Sequence, residues 1–214
     1  MNAQDHVRKG TTTIGMLCKG GVVMAADKRA TIGGHIVVEK NIDKVLKLTD
    51  NIAITVAGSV SDIQLLVKLI GAELNLKKIR TGKDASVKEA ANLLGMMVYN
   101  NIRKFSTIMG ITGFLMGGVD QSGVHLYNIG VDGSVTESDG YTADGSGFMM
   151  ALGVLDTLYK KDAPVADGVK LGVQAINAAM QRDAATGEGI DVVTVTKDGV
   201  KKVFAKKVDS FVRV

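Results

Sequence analysis

The spacing of apolar residues along the chain changes from a strand pattern to a helix pattern twice. Short β-rich segments come first, at 11–18, 22–27, 36–39, 45–48 and 52–57. Two helical segments follow, one from Ser59 to Leu74 and one from Ser86 to Ile102. Strand-like segments return at 113–120, 124–129 and 135–142, helices are predicted at 148–159 and 165–180, and strands at 191–196 and 200–205. This order excludes the strict strand–helix alternation of a doubly wound parallel sheet.

The residues between the strand segments favour antiparallel hairpins. With 26 glycines and one proline, the chain must make its turns mainly from Gly, Asn and Asp. Lys19-Gly20-Gly21 and Lys197-Asp198-Gly199 each separate two strand segments by the short distance typical of a hairpin. We therefore expect one α+β domain, a four-layer α-β-β-α sandwich of two mostly antiparallel sheets flanked by helix pairs.

Two serines are placed to begin the first pair of helices. Ser59 with Asp62, and Ser86 with Glu89, have the spacing of a capping box. In that motif the serine hydroxyl accepts a helix N–H, and the acidic side chain accepts the N–H of the serine. We expect both boxes to form.

Few histidines and cysteines limit the chemistry open to this chain. Cys18 is the only cysteine, which excludes an internal disulfide and a multi-cysteine metal site. His6, His35 and His125 lie far apart, without metal-ligand spacing. An enzyme of this composition is expected to use neither a histidine–cysteine pair nor zinc, and we expect no metal and no cofactor.

Charge and hydropathy set weaker limits. The net charge of +4 permits nucleic-acid binding, but the basic residues are spread along the chain and there is no Trp to stack on bases. No apolar run reaches the roughly 18–20 residues of a membrane span. The polar head, residues 1–10, has no apolar signal-peptide core. We expect a cytoplasmic protein with no nucleic-acid or membrane partner.

The Gly10–Thr11 junction is the most informative candidate site. A threonine hydroxyl is a weak nucleophile unless a base removes its proton. Cleavage before Thr11 would give that residue a free α-amine, whose ordinary pKa of about 7.7–8.0 suits a base at neutral pH. One residue would then supply both nucleophile and base. The alternative interpretation is simply a run of β-branched residues that begins a strand.

Six segments follow one another along the chain: GTTTIG from Gly10, MAADKRAT from Met24, the Lys44 region, TVAGSVSD from Thr55, DGSG from Asp144 and QRDAATG from Gln181. In this order they resemble the proteasome β subunits, which are N-terminal-nucleophile threonine proteases, and most closely the archaeal type. The resemblance covers essentially the whole chain from Gly10. It implies a single Ntn-hydrolase domain over residues 11–214, preceded by a propeptide of residues 1–10 that the protein removes by self-cleavage.

The resemblance implies the catalytic residues. Thr11 would attack the peptide carbonyl, and Asp27 would pair with Lys44. The charge of Lys44 should favour ionisation of the Thr11 hydroxyl and disfavour protonation of its amine. The segment from Asp27 to Lys44 is one residue longer than the archaeal pattern, so Lys40 and Lys47 remain alternatives.

Supporting residues follow in the same way. Gly58 would offer its N–H to the oxyanion, and Ser146 would orient the freed amine. Asp183 and Thr186 match the family's supporting aspartate and hydroxyl residue, which lie on the side of the nucleophile away from the substrate. Taken without the resemblance, Gly58 could be a plain strand-to-helix turn, the loop of Ser146 a phosphate-binding turn, and Asp183 half of a solvated ion pair.

The resemblance also places a substrate pocket. Its walls would be Ala30, Ile42, Val56 and Val60, with the backbone of Thr31 along the substrate strand. These walls are small and aliphatic and carry no carboxylate, so we expect cleavage after hydrophobic residues.

The function implied is that of a catalytic β subunit of the 20S proteasome core, a threonine endopeptidase made as a zymogen and acting on unfolded proteins. Implied partners are other β subunits in a heptameric ring, α-subunit rings and a regulatory ATPase. A catalytically silent ring subunit is disfavoured because such subunits usually lose the Thr–Asp–Lys set. The related bacterial two-ring peptidase lacks a QRDAATG segment, and a nucleic-acid-binding module would need a clustered basic face.

Overall fold

The computed structural model describes residues 10–208, which form twelve strands and four helices. The first part contains the strands β1 (Thr12–Cys18), β2 (Gly21–Asp27), β3 (Ala30–Ile32), β4 (Ile36–Glu39), β5 (Val45–Lys47) and β6 (Ile52–Gly58). Two helices follow, α1 (Val60–Thr81) and α2 (Val87–Arg103). The rest comprises β7 (Thr112–Asp120), β8 (Gly123–Ile129), β9 (Val135–Glu137), β10 (Tyr141–Gly145), α3 (Phe148–Leu158), α4 (Val165–Arg182), β11 (Gly189–Thr196) and β12 (Gly199–Lys207).

These strands form two five-stranded sheets and one small hairpin. The strand order is β10-β1-β2-β11-β12 in the first sheet and β5-β6-β7-β8-β9 in the second, and β3 pairs with β4. Every pairing between these strands is antiparallel. The expected antiparallel sheets are thus confirmed.

Three apolar layers lie between the four layers of secondary structure. The first sheet packs on α3 and α4 through a core that includes Ile14, Leu155 and Ile176. The second sheet packs on α1 and α2 around Phe114 and Leu94. The two sheets face each other across a third cluster of buried side chains, including Met24, Leu115, Leu126 and Val193. The α-β-β-α sandwich predicted from the sequence is confirmed.

Strand β2 lies at the centre of this arrangement and is fully buried. Its side chains alternate, with Met24 facing the second sheet and Val23 and Ala25 facing the helices. A strand that is apolar on both faces reads as a continuous hydrophobic run rather than as an alternation, as in the sequence GVVMAA. Its C-terminal end is consequently fixed by packing on both sides.

The predicted capping box forms at only one of its two positions. At α2 the Ser86 hydroxyl accepts the N–H of Glu89 at 3.2 Å, and the Glu89 carboxylate accepts the N–H of Ser86 at 2.8 Å. At α1 the prediction is wrong. The Ser59 hydroxyl donates to Asp62 Oδ2 at 2.6 Å, and the Ser59 N–H donates to the carbonyl of Ile111 at 2.8 Å. Aspartate is one methylene shorter than the glutamate of a capping box. In addition, the Ser59 N–H already donates to the carbonyl of Ile111, the residue before β7, so it is not left for the Asp62 carboxylate.

The extended segment predicted over 135–142 is two strands in different sheets. β9 lies at the edge of the second sheet beside β8, whereas β10 lies at the edge of the first sheet beside β1. The turn-forming residues Ser138-Asp139-Gly140 separate them. Apolar spacing does not show that the chain crosses from one sheet to the other at this point. The short strand β3 was not predicted either, and it pairs with the predicted β4.

The helix cap at Ser86 provides a test of local stability. Replacing Ser86 with Ala removes the acceptor for the Glu89 N–H and should lower the free energy of unfolding by about 1 kcal/mol. Ser86→Asp retains a good N-cap acceptor and should recover most of the loss. Urea unfolding of the three proteins measures the difference. Equal unfolding midpoints for Ser86→Ala and the parent would show that this cap contributes nothing.

Candidate active site

Sheet register and hydrogen bonds bring four distant segments to the start of β1, at one end of the sandwich. Thr12 is paired with Gly145, so Ser146 lies beside Thr11. Thr13 is paired with Ala26, so Asp27 lies beside Thr12. Two further segments reach the same place, since Lys44 bonds to Asp27 and the backbone of Gly187 does so as well.

Thr11 is 5% exposed and lies against the carbonyl of the preceding residue. Its hydroxyl donates to the Gly10 carbonyl oxygen at 2.6 Å. Its backbone N–H donates to Ser146 Oγ at 3.2 Å, and the Gly10 N–H donates to Thr31 Oγ1 at 2.9 Å. The hydroxyl is therefore next to the peptide bond that the sequence predicts to be cut. Of the predicted propeptide, residues 1–9 lie outside the described residues.

The carboxylate of Asp27 is completely buried and accepts four hydrogen bonds. Lys44 Nζ donates to Oδ1 at 2.7 Å, and the Thr12 N–H donates to the same atom at 3.0 Å. The N–H groups of Arg29 and Gly187 donate to Oδ2, each at 3.0 Å. Burial lowers the pKa of Lys44, and although Asp27 opposes this, the pKa stays below its ordinary value.

The two alternative lysines are placed elsewhere. Lys47 Nζ lies 2.6 Å from Asp50 Oδ1 in an exposed ion pair. Lys40 is exposed and follows the last residue of β4. Of the three candidates, Lys44 is the one whose ammonium the structure places on Asp27.

A hydrogen-bonded group of three hydroxyls and one carboxylate lies next to Thr11. Its members are Thr12, Ser146, Thr186 and Asp183. The hydroxyls of Ser146 and Thr186 both donate to Asp183 Oδ2 at 2.5 Å. Thr12 Oγ1 lies 2.7 Å from Thr186 Oγ1. Asp183 thus orients the serine that contacts the Thr11 nitrogen. Thr12 was not singled out from the sequence, where it is only the second threonine of a strand.

Gly58 ends β6 in a conformation that only glycine adopts readily. Its φ is +114°, and a Cβ at this position would collide with the carbonyl oxygen of Ile111. Gly58 therefore lets the chain turn sharply into α1 while its backbone borders the space next to Thr11. The turn and the proposed oxyanion role are compatible.

A cavity of about 340 Å³ opens beside Thr11 and contains the predicted walls Ala30, Ile42, Val56 and Val60. Thr31 does not line this cavity and contacts Gly10 through its side chain. The prediction omitted four lining residues, Asp43, Leu46, Ile63 and Gln64. The expectation that no residue with a carboxylate lines the pocket is therefore wrong, although the carboxylate of Asp43 is paired with Lys28 and Lys202. Ile63 could have been found, because it lies one helical turn after Val60.

Gly10 lies between two cavities. It borders the cavity just described and a second one of about 480 Å³, lined also by Asp144, Ser146 and Asp183. A Cβ at position 10 would collide with Ala185, so this segment of chain passes through a gap that admits only a glycine. The bond after Gly10 therefore has open space on both sides.

Comparison with known proteins agrees with this geometry. Residues 7–195 match the family described as proteasome subunit. The chain belongs to the proteasome subunit family. It is similar to the proteasome subunit beta of Archaeoglobus profundus, with 43% identity over 96% of this chain and 94% of the relative. It is also 46% identical to the proteasome subunit beta 2 of Pyrococcus furiosus over 91% of both chains, and 39% identical to the proteasome subunit beta of Methanococcus maripaludis over 99% of this chain and 96% of the relative.

The match to the proteasome subunit family spans every candidate site residue, from Gly10 to Thr186. Within residues 10–208, no three His, Cys, Asp or Glu side chains are grouped so that they could hold a metal ion. In the same part of the chain, no helix is long and apolar enough to cross a membrane.

The Asp27–Lys44 pair provides a test of the site's energetics. Asp27→Asn leaves the buried Lys44 without its counter-charge and should lower the free energy of unfolding by about 3 kcal/mol. Adding Lys44→Met removes that unpaired charge, so the double variant should be more stable than Asp27→Asn alone. Urea unfolding of both variants measures this. A double variant less stable than the single one would show that the pair is not the main role of Asp27.

Proposed function

We propose that this proteasome subunit is a catalytic β subunit of the 20S core, a threonine endopeptidase whose nucleophile is Thr11. The observation that carries the proposal is the position of the Thr11 hydroxyl, 2.6 Å from the Gly10 carbonyl oxygen with a buried lysine–aspartate pair and an oriented serine around it. A hydroxyl nucleophile, a charged group beside it and a positioned hydrogen-bonding partner are features expected of a site for acyl transfer. The curated relatives named as β subunits support the same conclusion.

The first reaction in this proposal is removal of residues 1–10. The Thr11 oxygen adds to the carbonyl carbon of Gly10, and its proton passes to the Thr11 nitrogen as the C–N bond breaks. The resulting ester between Gly10 and the Thr11 oxygen is hydrolysed by water, which leaves a Gly10 carboxylate and a free Thr11 amine. Glycine at position 10 permits the close approach, because Ala185 leaves no room for a side chain there.

Hydrolysis of other peptides then follows the same path. The freed amine takes the proton of the Thr11 hydroxyl while the oxygen attacks the substrate carbonyl. The charge of Lys44 stabilises the developing alkoxide and keeps the neighbouring amine unprotonated. The Gly58 N–H stabilises the oxyanion, and Ser146, held by Asp183, positions the amine. Water activated by the same amine completes the cycle, and no step needs a metal or cofactor.

Assembly is part of the proposal. We infer heptameric β rings stacked with α-subunit rings in the cytoplasm, with unfolded proteins delivered by a regulatory ATPase. Large apolar side chains are exposed on the single chain, with Phe105 fully exposed and Ile79 and Met149 largely so. Apolar surface of that kind is usually covered in an assembly. A catalytically silent ring subunit would not need the buried Lys44–Asp27 pair beside Thr11.

The identity of the nucleophile is tested by Thr11→Ala. The assembled parent protein should have the mass of a chain that begins at Thr11, whereas Thr11→Ala should retain residues 1–10 because it lacks the attacking oxygen. The variant should also lose hydrolysis of fluorogenic peptides with a hydrophobic residue before the cut bond. Intact-mass measurement and peptide kinetics on particles assembled with α subunits give both results.

Thr13→Ala serves as the matched control. Thr13 lies two residues further along β1, and its hydroxyl makes only a long 3.5 Å contact with the Asp144 carbonyl. It should be processed and active. A Thr11→Ala particle that hydrolyses the peptides at the parent's rate would rule out the proposed mechanism.

The cavity beside Thr11 is tested by placing a charge on its wall. Val60 is 37% exposed at the first position of α1, where a carboxylate is favoured by the helix dipole. Val60→Asp should raise the kcat/KM ratio of arginine over leucine substrates by about tenfold, the effect of one charged hydrogen bond of roughly 1.4 kcal/mol. Val60→Asn, of similar size, should change this ratio little. Equal ratios for the two variants would mean that this cavity does not hold the residue before the cut bond.

A further inference from the structure

A second ion pair, between Lys28 and Asp43, lies beside the Asp27–Lys44 pair. In the first pair the aspartate precedes the lysine in the chain, and in the second the lysine precedes the aspartate. Asp27 is the last residue of β2 and Lys28 follows it, while Asp43 and Lys44 come directly before β5. Lys44 Nζ lies 2.7 Å from Asp27 Oδ1, and Lys28 Nζ lies 2.8 Å from Asp43 Oδ1. The two dipeptides are thus held together by two ion pairs.

Lys28 is anchored inside the molecule by a further carboxylate. Its Nζ lies 2.6 Å from Asp191 Oδ2 on β11, and both side chains are buried. Lys202 on β12 contacts Asp191 Oδ2 at 3.3 Å and Asp43 Oδ2 at 3.1 Å. Burial works to lower the pKa of Lys28, but its hydrogen bonds to Asp191 and Asp43 raise the pKa above its ordinary value. A buried charge paired in this way holds a fixed position.

The segment that carries Lys44 belongs to no helix or strand. Residues 40–44 are irregular, and two hydrogen bonds join their backbone to more distant segments of the chain. The Ile42 N–H donates to the Lys28 carbonyl and the Val56 N–H donates to the Lys44 carbonyl, each at 3.0 Å. A lysine ammonium sits on a flexible stem, so its position depends on the backbone that carries it. Lys28 holds this segment by its carbonyl as well as by its ammonium.

We propose that Lys28 and Asp43 are positioning residues for Lys44, with Asp191 and Lys202 as their anchors. The inference rests on the proposed function, in which Lys44 acts on the Thr11 hydroxyl. By fixing Asp43, Lys28 fixes the residue that follows it, Lys44. The groups that act electrostatically on Lys44 include Asp27, Asp183 and Arg29. The charge of Lys28 is balanced by Asp43 and Asp191, so its effect on Thr11 is transmitted through the backbone.

Asp43→Asn is the variant that tests this proposal. Asp43 is 55% exposed, and its replacement leaves Lys28 paired with Asp191, so the protein should fold. In particles assembled with α subunits, kcat for a hydrophobic fluorogenic peptide should fall about tenfold or more, because a small misplacement of a catalytic group has effects of that size. The fall in kcat should exceed any rise in KM. Asp43→Glu keeps the charge and should recover most of the rate.

Asp50→Asn is the matched control. It removes an exposed ion pair with Lys47, at the other end of β5, and should leave kcat unchanged. If Asp43→Asn matches this control in kcat per titrated active site while Thr11→Ala is inactive, the inference is wrong and the proposed function stands. A lowered Tm with an unchanged kcat would likewise overturn it, since that is a purely structural effect. Activity in Thr11→Ala would overturn the proposed function and this inference with it.

Discussion

The carboxylate of Asp27 connects four parts of the chain that are far apart in sequence. It accepts hydrogen bonds from the start of β1, from its own turn, from the loop before β11 and from the ammonium of Lys44. A fully buried carboxylate is costly unless each of its oxygens is satisfied, and here each accepts two bonds. Loss of any one segment would remove one of the four hydrogen bonds that offset the burial of this charge. The site is therefore assembled only when the whole sandwich is formed.

The rigidity of β2 is what makes this carboxylate a fixed point. Both faces of the strand are covered, one by the second sheet and one by α4, and its neighbours β1 and β11 bond to it on both edges. Asp27 at its end therefore has little freedom to move. A site whose central group is held by packed elements can keep the sub-ångström geometry that acyl transfer requires. Lys28, the next residue, extends that fixed point to the irregular segment around Lys44.

The fold and the candidate site were predicted from different features of the sequence. The change of apolar spacing predicted α2, α3 and α4 to within about two residues, because one-sided burial imposes the helical period, whereas α1 continues past its predicted end at Leu74 to Thr81. It could not predict that β10 joins β1, which is what brings Ser146 to Thr11. The candidate residues came from resemblance to a family rather than from spacing. Contacts that depend on tertiary packing were missed, such as Thr12 on Thr186 and the Thr31 hydroxyl on Gly10. Ser59 shows the same limit, since its N–H donates to the carbonyl of Ile111, the residue before β7, and not to Asp62 as the local motif predicts.

The close contact of Gly10 with Ala185 bears on how the proposed self-cleavage would differ from the hydrolysis of other peptides. A chain segment held there has its carbonyl on the Thr11 hydroxyl and its N–H on Thr31, with one cavity on either side. An L-residue held by the same two polar contacts would place its Cβ against Ala185 and not in the 340 Å³ cavity, so a peptide substrate whose side chain enters that cavity must bind with a different backbone orientation. In the proposed mechanism, Thr11 would therefore meet Gly10 and the substrate residue before the cut bond in two different backbone poses, and only the second pose would place a side chain in the cavity.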